Sequence, residues 1–239
     1  MSNSTIPYVH LQVASGFSFK YGSAQPNQLV ERAATFGMPA LALTDRNALA
    51  GAIRFTQSCQ QGGIAPIIGC NLEVAPMRKV KAAPTPAKGG NFVENNFSRV
   101  TVMATSQSYG WRNLVKIVSG VEEQLLTHEN FAKHSEGVLL LLGPNSDVGR
   151  ALALRRIDQA KDALNRWREI AQPGSIAIEV VSHLAPGEGE LTTAHAARSL
   201  IFANQMRVPA VISNSVRMLD REDGPVVDIL DAARKLMPL

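Results

Sequence analysis

The chain has 239 residues, of which 45% are apolar and 18% charged, with a formal net charge of +4. This is enough apolar material for a sizeable core and argues against a disordered or fibrous chain. No run approaches the ~18 consecutive apolar residues of a membrane span, and the polar start Met1-Ser2-Asn3-Ser4-Thr5 lacks the basic-then-apolar order of a secretory signal, so a cytoplasmic protein is expected.

Seven short apolar runs read as buried strands, at 8–13, 39–44, 66–74, 100–104, 137–142, 175–181 and 208–213. Helical periodicity falls between them. Residues 26–36 place Leu29, Val30, Ala33 and Phe36 on one face before Gly37, and 48–61 carries Ile53 and Phe55 before Gly62-Gly63. Further helices are predicted at 109–119, 158–170, 191–206 and 225–236. Continuously apolar strands that alternate with helices point to a parallel sheet covered by helices, either a closed barrel or a doubly wound sheet. In both, chemistry sits in loops at the carboxyl ends of the strands. The stretch 76–98, with three prolines and Arg78, Lys79, Lys81 and Lys88, is expected to be a flexible surface insertion within a single domain spanning 1–239. Cys59 and Cys70 fit no metal-ligand spacing and read as buried thiols.

Three segments at strand ends carry a family signal: His10-Leu11-Gln12-Val13-Ala14-Ser15 with Phe17-Ser18-Phe19-Lys20-Tyr21-Gly22, then Thr44-Asp45-Arg46-Asn47, then Pro66-Ile67-Ile68-Gly69-Cys70-Asn71. Later landmarks are Tyr109-Gly110-Trp111-Arg112-Asn113-Leu114-Val115, His134-Ser135-Glu136-Gly137-Val138 and Val208-Pro209-Ala210-Val211-Ile212-Ser213-Asn214-Ser215-Val216-Arg217. Together, in this order, they resemble the N-terminal polymerase-and-histidinol-phosphatase (PHP) domain of bacterial DNA polymerase III alpha subunits. The resemblance implies an α/β fold, a distorted seven-stranded (β/α)7 barrel. In active relatives a cluster of histidines and carboxylates binds up to three divalent metals, which activate water and clamp a phosphate ester.

At the ligand positions implied by the resemblance, only His10 keeps a ligand. The second histidine of the His-x-His pair is Gln12, the following acid is Tyr21, and the histidine after Thr44-Asp45 is Arg46. Asn71 replaces a glutamate, Arg99 a histidine, Pro144 a cysteine or histidine, and Ser215 and Arg217 the closing Asp-x-His pair. An amide is a poor substitute for imidazole, and a guanidinium cannot lose its charge to become a ligand. Asp45 is read as a cap of the following helix, His10 as a leftover histidine hydrogen-bonded near the barrel mouth, and His183 as structural. His128, His134 and His195 show no ligand spacing. Arg46, Arg99 and Arg217 are expected to neutralise Asp45, Glu73 or Glu179; a rival reading makes them a pocket for a phosphate or a DNA end.

The resemblance therefore implies a degenerate, non-catalytic domain with no cofactor, a structural and interaction scaffold in DNA replication or error-prone repair synthesis. The implied partners are the polymerase thumb and palm of a longer parent chain, an exonuclease or other replisome subunit, and DNA through the parent enzyme, with no membrane. The Thr44-Asp45-Arg46 loop and the closing 228–239 segment look closer to the error-prone subtype. The alternatives are a residual metal-dependent phosphoesterase or 3′-5′ exonuclease, and a stand-alone paralogue rather than a fragment.

Overall fold

A computed structural model describes residues 8–76, 97–121 and 125–236. Its strands are β1 (Ala40–Leu43), β2 (Ala65–Val74), β3 (Arg99–Ala104), β4 (Leu125–Leu126), β5 (Val138–Leu142), β6 (Ile176–Val181) and β7 (Ala210–Ser213). Its helices are α1 (Pro26–Thr35), α2 (Ala52–Gly62), α3 (Tyr109–Ser119), α4 (His128–Lys133), α5 (Asp147–Ala153), α6 (Ile157–Ile170), α7 (Thr193–Met206) and α8 (Gly224–Lys235), with a 3-10 turn at Arg221–Asp223. The sheet runs β1-β2-β3-β5-β6-β7, and the short β4 pairs with the end of β2.

The first apolar run of the sequence is not a regular strand, yet it closes this sheet. On one side Ala42 N donates to His10 O at 3.0 Å and Thr44 N to Val13 O at 2.8 Å. On the other, Val216 N donates to Gln12 O at 2.9 Å and Ala14 N to Val216 O at 2.8 Å. The first run thereby joins the edge at β1 to the chain that follows β7, curling the sheet toward a barrel. A cluster formed by Leu11, Ala42, Ile67, Met103, Leu139, Leu141, Ala177 and Val211 draws on every stave and fills the lower interior.

The expectation of a wholly parallel sheet is corrected at β3, which runs antiparallel to both β2 and β5. Val74 N donates to Ser98 O at 2.8 Å, so β2 ends and β3 begins at the same rim. This reversal places Arg99, the first residue of β3, beside residues that end the other strands. The insertion predicted at 76–98, with its four basic residues, falls almost wholly outside the described residues.

Helices pack on the outside in two groups. One cluster joins α1 and α2 to β1 through Leu29, Val30, Leu41, Leu43, Phe55 and Cys59, and a larger one runs under α3 to α7 around Trp167. Within the first group Phe36 and Ile53 are exposed, contrary to the predicted faces, because α1 ends at Thr35 and the inward side of α2 is set by Ala52, Phe55 and Cys59. Two short helices escaped the sequence reading. With six and seven residues, α4 and α5 show too little periodicity, although Thr127 and Ser146 cap them by accepting from Asn130 N and Gly149 N. Two of the family-like segments meet: Asn113 Nδ2 donates to Glu136 O at 2.7 Å, tying α3 to the turn before β5.

Trp167 is fully buried, stacks on His128 at 4.4 Å, meets Phe131 edge-on at 5.5 Å and donates from Nε1 to Asp147 Oδ1 at 3.1 Å. Trp167→Ala is expected to lower the unfolding free energy by about 3 to 5 kcal/mol in urea titration, because it leaves a cavity and an unpaired acceptor together. A loss below about 1 kcal/mol would mean that α6 is not anchored by this side chain.

Candidate functional site

Strand alternation sorts the barrel interior into layers. Above the apolar cluster, the same inward face carries Asn71 and Glu73 on β2, Arg99 and Thr101 on β3, and Glu179 on β6. Asn71 pairs in register with Thr101, and Glu73 with Arg99. These polar side chains therefore lie on neighbouring rungs near the rim where chemistry was expected.

Asp45, which follows β1, is 1% exposed. Its Oδ1 accepts from Ser15 N at 2.6 Å and Ser18 Oγ at 2.7 Å, while Ser15 Oγ lies 2.8 Å from Oδ2. Burial holds its carboxyl above the usual range, and the hydrogen bonds from Ser18 and Ser15 offset part of that rise. Asp45 does not cap α2, whose N-cap is Gly51, and its hydrogen bonds among the described residues come from Ser15 and Ser18 rather than from an arginine as predicted. A carboxylate this deep takes its donors from the adjoining loop.

Arg99 is 6% exposed and nearly saturated with acceptors. It donates to Asn71 Oδ1 at 2.6 Å, Glu73 Oε1 at 2.6 Å, Asn47 Oδ1 at 3.0 Å and Asn71 O at 2.8 Å. Its predicted pairing with Glu73 is thus present. Asn71 is the hinge of this network, since its Nδ2 also donates to Thr101 Oγ1 at 2.9 Å.

Glu179 is 2% exposed and has no arginine beside it among its described contacts. Its donor is Gln12. Oriented by its neighbours, the Gln12 amide donates from Nε2 to Glu179 Oε1 at 2.8 Å and Oε2 at 3.0 Å, with Ser215 Oγ at 2.7 Å, and its Oε1 faces Asn71 Nδ2 at 3.3 Å. Burial pushes Glu179 up to about 7, and the neighbouring Ser213 hydroxyl offsets only part of the effect. Gly143 leaves room for this carboxylate: a Cβ there would come within 2.1 Å of Glu179 Oε2.

Tyr21 gathers guanidiniums. Arg46 Cζ lies 3.4 Å and Arg217 Cζ 4.1 Å from its ring centroid. Arg217 also donates from Nη1 and Nη2 to Asp231 at 3.2 and 2.7 Å and from Nε to Tyr21 O at 3.1 Å. Burial opposes the Asp231 charge, but hydrogen bonds from Arg217 and Arg234 outweigh it and take Asp231 down to about 2. Gln12, Tyr21, Arg46, Asn71 and Ser215 converge on a cavity of about 10 Å³, which is room for a single water and far too small for a phosphate.

Other predicted positions lie apart. His10 lines a separate groove of about 670 Å³ between α1 and the 214–221 segment; its ring meets Tyr8 edge-on at 4.9 Å, and its buried Nδ1 has no hydrogen-bond partner among the described residues, contrary to expectation. Burial lowers its pKa. Pro144 is buried in the turn into α5 against Gly149. His183 Nε2 meets Asn214 O at 3.1 Å and His195 Nε2 meets Gly149 O at 2.9 Å, both structural contacts. Cys59 and Cys70 are buried and free, as read from the sequence. Among the described residues, no three His, Cys, Asp or Glu side chains gather as a metal ion would need, and no helix is long and apolar enough to cross a membrane.

A family model described as "PHP domain" matches residues 10–183. The chain belongs to the PHP domain family. Relatives of this PHP domain include DNA polymerase III subunit alpha of Buchnera aphidicola, 28% identical over 90% of the chain, and of Escherichia coli K12, 30% identical over 90%. An error-prone DNA polymerase of Symbiobacterium thermophilum is 30% identical over 96% of it. The chain spans only about a fifth of the length of these relatives: 18%, 18% and 21%. Among solved structures, a protein of Bifidobacterium adolescentis assigned to the metal-dependent phosphoesterases superposes with a TM-score of 0.55 at 12% identity, covering 89% of this chain and 88% of its own. An amidohydrolase of Chromobacterium violaceum, solved with sulfate and no metal, gives 0.51 at 13% identity, covering 93% and 96%. These likenesses establish the shared fold.

Within the PHP domain, Glu179 is the residue whose importance the sequence understated. Its signal was a lone acid in an otherwise apolar run, Ile176–Val181. Because its folded pKa is raised from 4.5 to about 7, its contribution to stability is full below about pH 4.5 and is lost as pH rises through 7. Glu179→Gln is therefore expected to flatten the decline in unfolding free energy as pH rises through 7. An unchanged pH slope in urea titrations of the variant would assign the decline elsewhere.

Proposed function

We propose that this PHP domain is a non-catalytic structural and interaction module of a DNA polymerase III alpha-type polypeptide, working in DNA replication or error-prone repair synthesis. One observation carries the reading: Arg46 and Arg217 gather on Tyr21 and Arg99 is bound to Glu73 and Asn71, so fixed cations occupy the rim where active relatives would bind metal ions. A divalent cluster needs converging imidazoles and carboxylates. The residues present do not fit that requirement. Asp45 and Glu179 already have their oxygens hydrogen-bonded to Ser15, Ser18 and Gln12, and His10 faces another groove.

Likeness to both alpha subunits and an error-prone polymerase, over nearly the whole chain, supports the polymerase context at the level those proteins share. In that setting the domain braces the thumb and palm of its own polypeptide or docks an exonuclease or other replisome subunit, and meets DNA through the parent enzyme. The small volume of the rim cavity favours this reading over a phosphate or DNA-end pocket.

The test is elemental analysis of the purified chain after incubation with Zn and Mn and removal of unbound ions. Less than about 0.1 metal per chain is expected. Near-stoichiometric metal accompanied by hydrolysis of a phosphodiester substrate would overturn the proposal in favour of a phosphoesterase or 3′-5′ exonuclease.

A further inference from the structure

We infer that Tyr21, Arg46 and Arg217, three residues standing at metal-ligand positions of the family, form a latch that seats the C-terminal helix α8 on the barrel mouth. The inference goes beyond the scaffold reading, because it concerns how the domain's own helix is seated and needs no partner. Apolar burial does little to hold α8: Val227 is its only buried residue, while Val226 and Ile229 are exposed. Its described attachments to the rim are polar. Asp231 receives two hydrogen bonds from Arg217, and Lys20 Nζ donates to Ala233 O at 3.3 Å. Within the helix, Arg234 donates to the same Asp231 at 2.8 Å and lies 5.7 Å from the Tyr21 ring.

Arg217 joins the two halves of this arrangement. Its fork grips Asp231 bidentately, a geometry that ammonium groups do not reproduce, while its Nε donates to Tyr21 O and its plane lies over the Tyr21 ring. Arg46 uses the same ring from the end of β1. Three segments that meet at the rim, the loop after the first stave, the end of β1 and the chain leaving β7, are thus joined to each other and to α8. In this arrangement a ring and fixed cations supply the cross-links, and the seating of α8 follows from them. These are positioning residues.

Hydrogen–deuterium exchange on the full 239-residue chain tests the latch, with α8 amides compared against those of β5 and β6. Tyr21→Ala and Asp231→Asn are expected to speed exchange in α8 by about tenfold or more while β5 and β6 stay within about twofold, and Tyr21→Phe, which keeps the ring, to resemble the parent. Unchanged α8 exchange in both variants would overturn the inference. So would equal acceleration of α8 and the strands, which would make these residues general supports of the fold. Should Tyr21→Ala fail to fold, Arg217→Lys, which keeps the charge but not the bidentate grip on Asp231 and leaves the Asp231–Arg234 pair within the helix intact, decides by the same criterion. Metal found in the unaltered chain would sink the non-catalytic reading without touching this result.

Discussion

Charge placed inside a barrel must be compensated there, because removing an ion from water costs several kcal/mol unless hydrogen bonds or a counter-charge replace its hydration. Asp45, Glu179 and Arg99 are all nearly inaccessible, and the rim of this domain is organised around satisfying them. Each is met differently. Asp45 takes serine hydroxyls and a backbone amide, Glu179 takes an amide side chain, and Arg99 takes a carboxylate, two amide oxygens and a carbonyl.

The same constraint links site to fold. Arg99 joins the two central staves, β2 and β3, and Asn71 extends that tie toward Gln12 in the closing segment. Gln12 in turn reaches Glu179 on β6, so one hydrogen-bonded network crosses the barrel interior from β3 to β6 through the first stave. Networks of this kind are valuable only when complete, since one missing partner leaves a buried polar group unsatisfied. Gln12, Asn71 and Arg99 are therefore parts of one connected support across the rim.

A metal cluster and a hydrogen-bonded network solve one problem in different ways. Cations would let several carboxylates face one another across the mouth. Here guanidiniums and amides stand among the rim acids, leaving a hole the size of one water. Tyr21 and Arg217 carry the arrangement outward to Asp231 on α8.

Read alone, the sequence determined six of the seven regular strands, six of the helices, the burial of Cys59 and Cys70, and the family, because burial periodicity and strand-end motifs are local patterns; it missed the two-residue β4 and read the irregular 8–13 run as a strand. Its strand-end motifs also contain Gln12, Tyr21, Arg46, Asn71 and Ser215, which line one small cavity. Only the tertiary structure decided which of them meet. The antiparallel course of β3 brings Arg99 to Glu73, the irregular first stave turns Gln12 to Glu179 and His10 elsewhere, and Asp231, distant in sequence and in no motif, becomes the partner of Arg217. Such pairings depend on strand direction, register and helix placement across long separations, and no periodicity in the chain encodes them.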